Sequence, residues 1–187
     1  MPLALKVTIA RIISVPFFIA AILYYSPERD YLRYVALAIF SFAVISDVID
    51  GYIARTRKQK TRAGAILDPL ADKILLISAF ICIFKMAELF AVKFPMWLVV
   101  GVISRDVIIL LGAMIIQSIS GDFKVEASFW GKATTFSQVL CIAGALLEWS
   151  FSPYFWYLAI ALTAISGIDY ILTGIKILNN PKQLEGA

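Results

Sequence analysis

The stretch Asp47-Val48-Ile49-Asp50-Gly51-Tyr52-Ile53-Ala54-Arg55, a basic segment to Arg62, and then Gly64-Ala65-Ile66-Leu67-Asp68-Pro69-Leu70-Ala71-Asp72 set four carboxylates in and beside very apolar sequence. Asp47 and Asp50 are three residues apart and share one side of a helix; Asp68 and Asp72 are four apart and share a side of the next. Two helices that each present a pair of acids can close around a hard cation. Carboxylate oxygens suit magnesium, manganese or calcium, whereas imidazole and thiolate suit softer metals. The chain has no histidine, which removes the usual zinc and iron ligands.

Outward from this stretch, the 187 residues are 61% hydrophobic with a mean hydropathy of +0.86. Soluble domains run about 45–50% apolar, so this composition predicts an integral membrane protein, and the length predicts one domain over residues 1–187. The alternating pattern of an outer-membrane barrel is absent, and apolar runs of about 20 residues point to spanning helices. The net charge of +4 is small and is read by position, not as a nucleic-acid signal. Cys82 and Cys141 lie in apolar runs and read as small core residues. Lys6 and Arg11 followed by an apolar run superficially suggest a signal peptide, but no clear small-residue cleavage site follows, so the first segment reads as a retained span.

Six segments follow, at about Leu3–Tyr25, Tyr31–Ile53, Ala63–Met86, Met96–Ser118, Lys132–Trp149 and from after Ser152-Pro153 to Leu178. Asp68, Pro69 and Asp72 are expected in the first turns of segment three, where negative charge is favoured and proline tolerated. Asp122, Lys124 and Glu126 fall in the loop before segment five, and Asn179–Ala187 forms a polar tail. An even number of spans puts both termini on one side. The connector Arg55, Arg57, Lys58, Lys60 and Arg62 contains no acid and lies on that side too, whereas Glu28, Arg29, Asp30 and Arg33 cancel on the other. The positive-inside rule then places the termini and the acid quartet at the cytoplasmic face of the inner membrane.

Four acids in such surroundings need a cause, because a charge at a bilayer centre costs about 2.5–3.5 kcal/mol on insertion scales. An interhelical salt bridge is the better reading of Asp169 alone. For Asp47, Asp50, Asp68 and Asp72 together, a multivalent cation between mutually repelling carboxylates is the simpler arrangement. Gly51 and Gly64 suit either close approach of backbone to a bulky ligand or helix packing.

The spacing D-x-x-D-G-x-x-A-R, eight residues, G-x-x-x-D-x-x-x-D resembles the signature of the CDP-alcohol phosphatidyltransferases, with every fixed position present: Asp47, Asp50, Gly51, Ala54, Arg55, Gly64, Asp68 and Asp72. Thr8, Arg11 and Pro16 resemble the family's first-helix pattern. Gly131-Lys132, Thr135 and Gln138 resemble the G-K-x-x-T-x-x-Q element of its glycerophosphate-using branch. The resemblance implies a six-helix membrane bundle, usually a homodimer, with a polar cavity open to the cytoplasm. It implies phosphatidyl transfer from CDP-diacylglycerol to an alcohol with release of CMP. It implies one or two Mg2+ or Mn2+ ions on the four aspartates, Asp72 as general base, and Thr8, Asp47, Gly51, Ala54, Arg55 and Gly64 around the cytidine diphosphate. For an anionic acceptor such as glycerol 3-phosphate it implies Arg105 and Lys132, with Arg62 a further candidate; Arg57, Lys58 and Lys60 read as facing anionic headgroups. A salt bridge to Asp106 is the competing role for Arg105.

Three positions depart from the glycerophosphate-using pattern: Leu5 stands for Asn, Asp106 for Glu, and Ala113 for a second Arg. Ser-Arg-Asp at 104–106 also resembles the cardiolipin-making members of the superfamily, whose acceptor is phosphatidylglycerol. That acceptor, and another polyol phosphate, stay open beside glycerol 3-phosphate. A small cation transporter is the reading from a different class, but it lacks the inverted repeats and paired broken helices expected there.

Overall fold

The computed structural model describes the backbone of residues 3–57, 62–120 and 128–179, and the side chains of 9–47, 70–71, 73–112, 128–173 and 175. Lys58, Lys60, Asp122, Lys124, Glu126 and the tail from 180 lie outside the described residues. The described backbone forms six α-helices, α1 (Leu3–Leu23), α2 (Tyr31–Arg57), α3 (Arg62–Lys85), α4 (Met96–Ser120), α5 (Phe129–Leu146) and α6 (Ser152–Asn179), with a 3-10 turn at Pro27–Arg29 and no strand among them. The six apolar segments are thus six helices. The third helix starts at Arg62, within a residue of the expected start, and Pro69 stands at its eighth position. There its missing N–H leaves the Ala65 carbonyl without its helical donor.

The ends of α5 have local causes. Ser128 Oγ accepts the Gly131 N–H at 3.2 Å, an N-cap to the third helical residue, so the helix opens at Phe129 and not at Lys132. At the other end the Trp149 N–H reaches the Gly144 carbonyl at 2.9 Å and the Glu148 N–H the Ala145 carbonyl at 3.1 Å. This double closure puts Glu148 in the left-handed region, at φ 53°, where glycine is usual.

The chain divides into two compact units. The first holds residues 1–95 and 142–150. In it α1 packs along both α2 and α3, which meet each other over a much shorter stretch. Its core is Phe18 and Ile22 from α1, Phe40 from α2, and Leu75, Leu76, Phe80 and Ile83 from α3. The Phe18 and Phe40 rings lie 6.0 Å apart. At one end the α1–α2 turn, the stretch 86–95 and the α5–α6 turn converge on Arg33. Its Nε and Nη2 donate to the two oxygens of Asp30 at 2.8 and 3.0 Å, and its Nη1 reaches the Leu146 carbonyl at 3.2 Å and Glu148 Oε2 at 3.0 Å. Glu148 Oε1 accepts the Ala91 N–H at 3.4 Å, and Tyr25 stacks on Phe90 with centroids 4.8 Å apart.

The second unit holds residues 96–141 and 151–187. Here α4 and α6 run parallel: Trp97 stacks on Tyr157, Gly101 faces Ile160, Arg105 meets Ser166, and Gly112 faces Tyr170. A Cβ at Gly112 would lie 2.6 Å from Tyr170 Oη and 2.8 Å from its Cε1, so this close approach needs glycine. The N-terminal part of α5 runs antiparallel to α6. Thr134 donates to the Leu162 carbonyl at 3.0 Å, and two turns on Cys141 Sγ lies 3.3 Å from the Phe155 carbonyl. Cys82 and Cys141 are buried free thiols, as expected of small core residues.

Large apolar side chains stand exposed on every helix, among them Phe17, Phe42, Ile81, Leu111, Phe136 and Leu172. Among the described residues one helical stretch, Ser152–Thr173, is long and apolar enough to cross a membrane, and only 17% of its most apolar window is buried. The core helix of a soluble protein would be mostly buried; this stretch is apolar and outward-facing.

Candidate active site

The acids are carried by unbroken helices. Positions 47 and 50 fall on one side of α2, and positions 68 and 72 on one side of α3. Gly51, Ala54 and Arg55 continue α2, Arg62 and Gly64 open α3, and Thr8 belongs to α1. Because α1 packs on both acid-bearing helices, all these positions belong to the first unit. The side chains of Thr8, Asp50, Gly51, Ala54, Arg55, Arg62, Gly64, Asp68 and Asp72 lie outside the described residues.

Asp47 is described, and its setting was not anticipated in full. Arg11 Nη2 lies 2.7 Å from Asp47 Oδ1, with the Arg11 side chain 3% exposed and that of Asp47 43% exposed. A buried guanidinium therefore grips a carboxylate that stays open to its surroundings. Among the described residues, Arg11 Nε and Nη1 are buried and meet no hydrogen-bond partner. The residue was legible as part of a first-helix pattern, but its partner lies 36 positions away and carries no local signal. Among the described residues no group of three metal-binding side chains assembles. The donor chemistry nevertheless fits a hard divalent ion: an accessible carboxylate oriented by a buried guanidinium, three further aspartates on the same pair of helices, and no imidazole in the chain.

In the second unit, Arg105 of α4 is 7% exposed and its Nη1 lies 2.7 Å from Oδ1 of Asp106, itself 1% exposed. The salt bridge weighed as its competing role is therefore formed. The guanidinium is not used up by it: Nη2 donates to Ser166 Oγ on α6, and Nε is buried without a partner. It lies at the start of α5, with Nη2 3.5 Å from where a Cβ on Gly131 would stand. Lys132, the next residue, is exposed. The arrangement gathers a buried guanidinium, an exposed lysine and the amide end of a helix, the combination that receives an anion. Ser166 went unnoticed in the sequence; a hydroxyl in an apolar segment, followed by Gly167, was the available signal. Gln138 is fully buried, and neither of its amide atoms has a hydrogen-bond partner.

Comparison with known proteins agrees with the motif. A CDP-diacylglycerol–glycerol-3-phosphate 3-phosphatidyltransferase of Haemophilus influenzae is 35% identical over 94% of this chain and 90% of its own length. A probable phosphatidylglycerophosphate synthase of Mycobacterium tuberculosis is 33% identical over 97% of this chain and 85% of its own. A CDP-diacylglycerol–glycerol-3-phosphate 3-phosphatidyltransferase of Escherichia coli is 30% identical over 92% and 90%. The family model described as CDP-alcohol phosphatidyltransferase matches residues 1–166, and with the aspartate signature complete on α2 and α3, the chain belongs to the CDP-alcohol phosphatidyltransferase family.

Proposed function

We propose that the protein transfers a phosphatidyl group from CDP-diacylglycerol to glycerol 3-phosphate, giving phosphatidylglycerophosphate and CMP in phospholipid biosynthesis. The observation that carries this reading is the likeness, over more than nine-tenths of the chain, to transferases named for that reaction. The complete aspartate signature supports the donor chemistry, and the anion-receptive cluster around Arg105 supports an acceptor that carries a phosphate.

Asp47, Asp50, Asp68 and Asp72 hold one or two magnesium or manganese ions. Bound there, the metal offsets the negative charge of the diphosphate and of the in-line displacement. Arg11 orients Asp47 for that task. Thr8, Gly51, Ala54, Arg55 and Gly64 line the cytidine diphosphate, with Arg55 donating charge-assisted hydrogen bonds to phosphate. Asp72 takes the proton of the acceptor hydroxyl as its oxygen bonds to phosphorus, while the P–O bond to CMP breaks. Arg105 and Lys132, with Arg62, hold the acceptor phosphate.

The six helices span the inner membrane as one catalytic domain with both termini in the cytoplasm, and two copies form a homodimer. Outward-facing apolar side chains on every helix support the spans, and the basic residues around the α2–α3 connection support the orientation. Among the described residues, Ser152–Thr173 is long and apolar enough to cross a membrane by itself.

An acceptor panel tests the reading. Purified protein with CDP-diacylglycerol and magnesium is offered glycerol 3-phosphate, phosphatidylglycerol or inositol phosphate, and CMP release is followed. Release with glycerol 3-phosphate alone is expected. Release with phosphatidylglycerol instead makes this a cardiolipin synthase. Silence with all three overturns the assignment of the acceptor.

A further inference from the structure

We propose that Ser166 is a positioning residue that aims Arg105 at the phosphate of the acceptor. The inference deepens the reading of Arg105 given above and rests on it. Arg105 carries five N–H bonds in a rigid planar fork. Asp106, its neighbour on α4, takes Nη1 at 2.7 Å and is more deeply buried than Arg105 itself. The attraction of Arg105 for phosphate depends on where its remaining N–H bonds point.

Asp106 alone fixes one edge of the fork and leaves the plane free to swing about that contact. A second contact is needed to set the plane, and Ser166 Oγ supplies it by accepting from Nη2 across the α4–α6 contact. With Nη1 and Nη2 tied to two different helices, the plane of the guanidinium is fixed. The same geometry sets the guanidinium beside Gly131, at the capped start of α5, next to Lys132. A hydroxyl suits this role better than a second carboxylate would: it accepts a hydrogen bond without adding a charge that would repel the incoming phosphate. The backbone supports the contact, since Gly167, the residue after Ser166, lies 3.9 Å, measured from an ideal Cβ, from Cγ of Arg105.

The test is steady-state kinetics on the full-length protein in lipid nanodiscs, with glycerol 3-phosphate and CDP-diacylglycerol varied in turn. Ser166→Ala should raise the KM for glycerol 3-phosphate about tenfold, the worth of one hydrogen bond to a charged group. The KM for CDP-diacylglycerol and the thermal midpoint should stay at the wild-type values, and Ser166→Thr should restore the acceptor KM. Arg105→Gln is measured alongside. If Arg105→Gln raises the acceptor KM and Ser166→Ala does not, the positioning role of Ser166 is wrong. If Arg105→Gln leaves the acceptor KM unchanged, the acceptor reading of Arg105 itself is wrong. Should Ser166→Ala fail to fold, Ser166→Cys serves in its place, and a wild-type acceptor KM in that variant overturns the proposal.

Discussion

Arg11 and Asp47 show what one side chain contributes at the residue scale. Burying a guanidinium is costly unless it is paired, and here one carboxylate pairs it while two of its nitrogens meet no partner among the described residues. Because Asp47 is largely open, Arg11→Gln should cost about 2 kcal/mol in detergent unfolding, nearer one charge-assisted hydrogen bond than the loss of a fully buried pair. It should also weaken manganese binding by calorimetry, a readout that does not depend on turnover. Asp68→Asn and Asp72→Asn should each lower the rate of CMP release by about a hundredfold or more, the scale of losing one preorganised electrostatic contact. Their thermal midpoints should stay near wild type, and near-normal turnover in either would remove the metal role of that residue. The aspartates were legible because their spacing is local, within two helices. Ser166 was not, because it meets Arg105 across 61 positions and only packing of α4 on α6 joins them.

At the scale of the element, closures and close approaches decide what the sequence can tolerate. Glu148 accepts a left-handed backbone at the end of α5, which costs a side-chain-bearing residue about 1–2 kcal/mol, and its carboxylate repays this by binding Arg33 and the Ala91 N–H. Glu148→Gly and Glu148→Ala both lose the carboxylate, but only Gly relieves the backbone. The Gly variant should therefore unfold at higher temperature than the Ala variant, by about 1 kcal/mol of stability. Gly112→Ala should destabilise by about 1–3 kcal/mol, because its methyl would run into the Tyr170 ring and α4 and α6 must part. In the turn before α2, hydrogen bonds from Arg33 hold the Asp30 carboxyl below its ordinary value of 3.8. That contribution is complete above pH 3.8 and fades as pH falls through the lowered value, so Asp30→Asn should shrink the difference in thermal midpoint between neutral and acid solution. Helix number was readable from the apolar runs, and helix ends less so. The start of α5 is set by Ser128 and its end by the turn at Glu148, neither of which a hydropathy pattern records.

For the whole molecule, removal of divalent ions by a chelator should stop CMP release, and magnesium or manganese should restore it; activity that survives chelation would exclude the ion. A cysteine introduced at Ser26 should react with an impermeant maleimide from outside intact cells, and one introduced at Ala187 should not; the reverse pattern would invert the proposed orientation. Composition sufficed to read a membrane protein, and among the described residues Ser152–Thr173 of α6 is long and apolar enough to cross one. The Arg33 cluster has an electrical consequence as well. A resting membrane stores about 2.3 kcal/mol per elementary charge at 100 mV, and a wet interior open at both ends would short it. At the end of the first unit where Arg33 sits, three turns are stitched together by mutually satisfied charges and a stacked ring pair. In a chain that spans a membrane, such a closure would oppose the passage of water and ions through the first unit at that end.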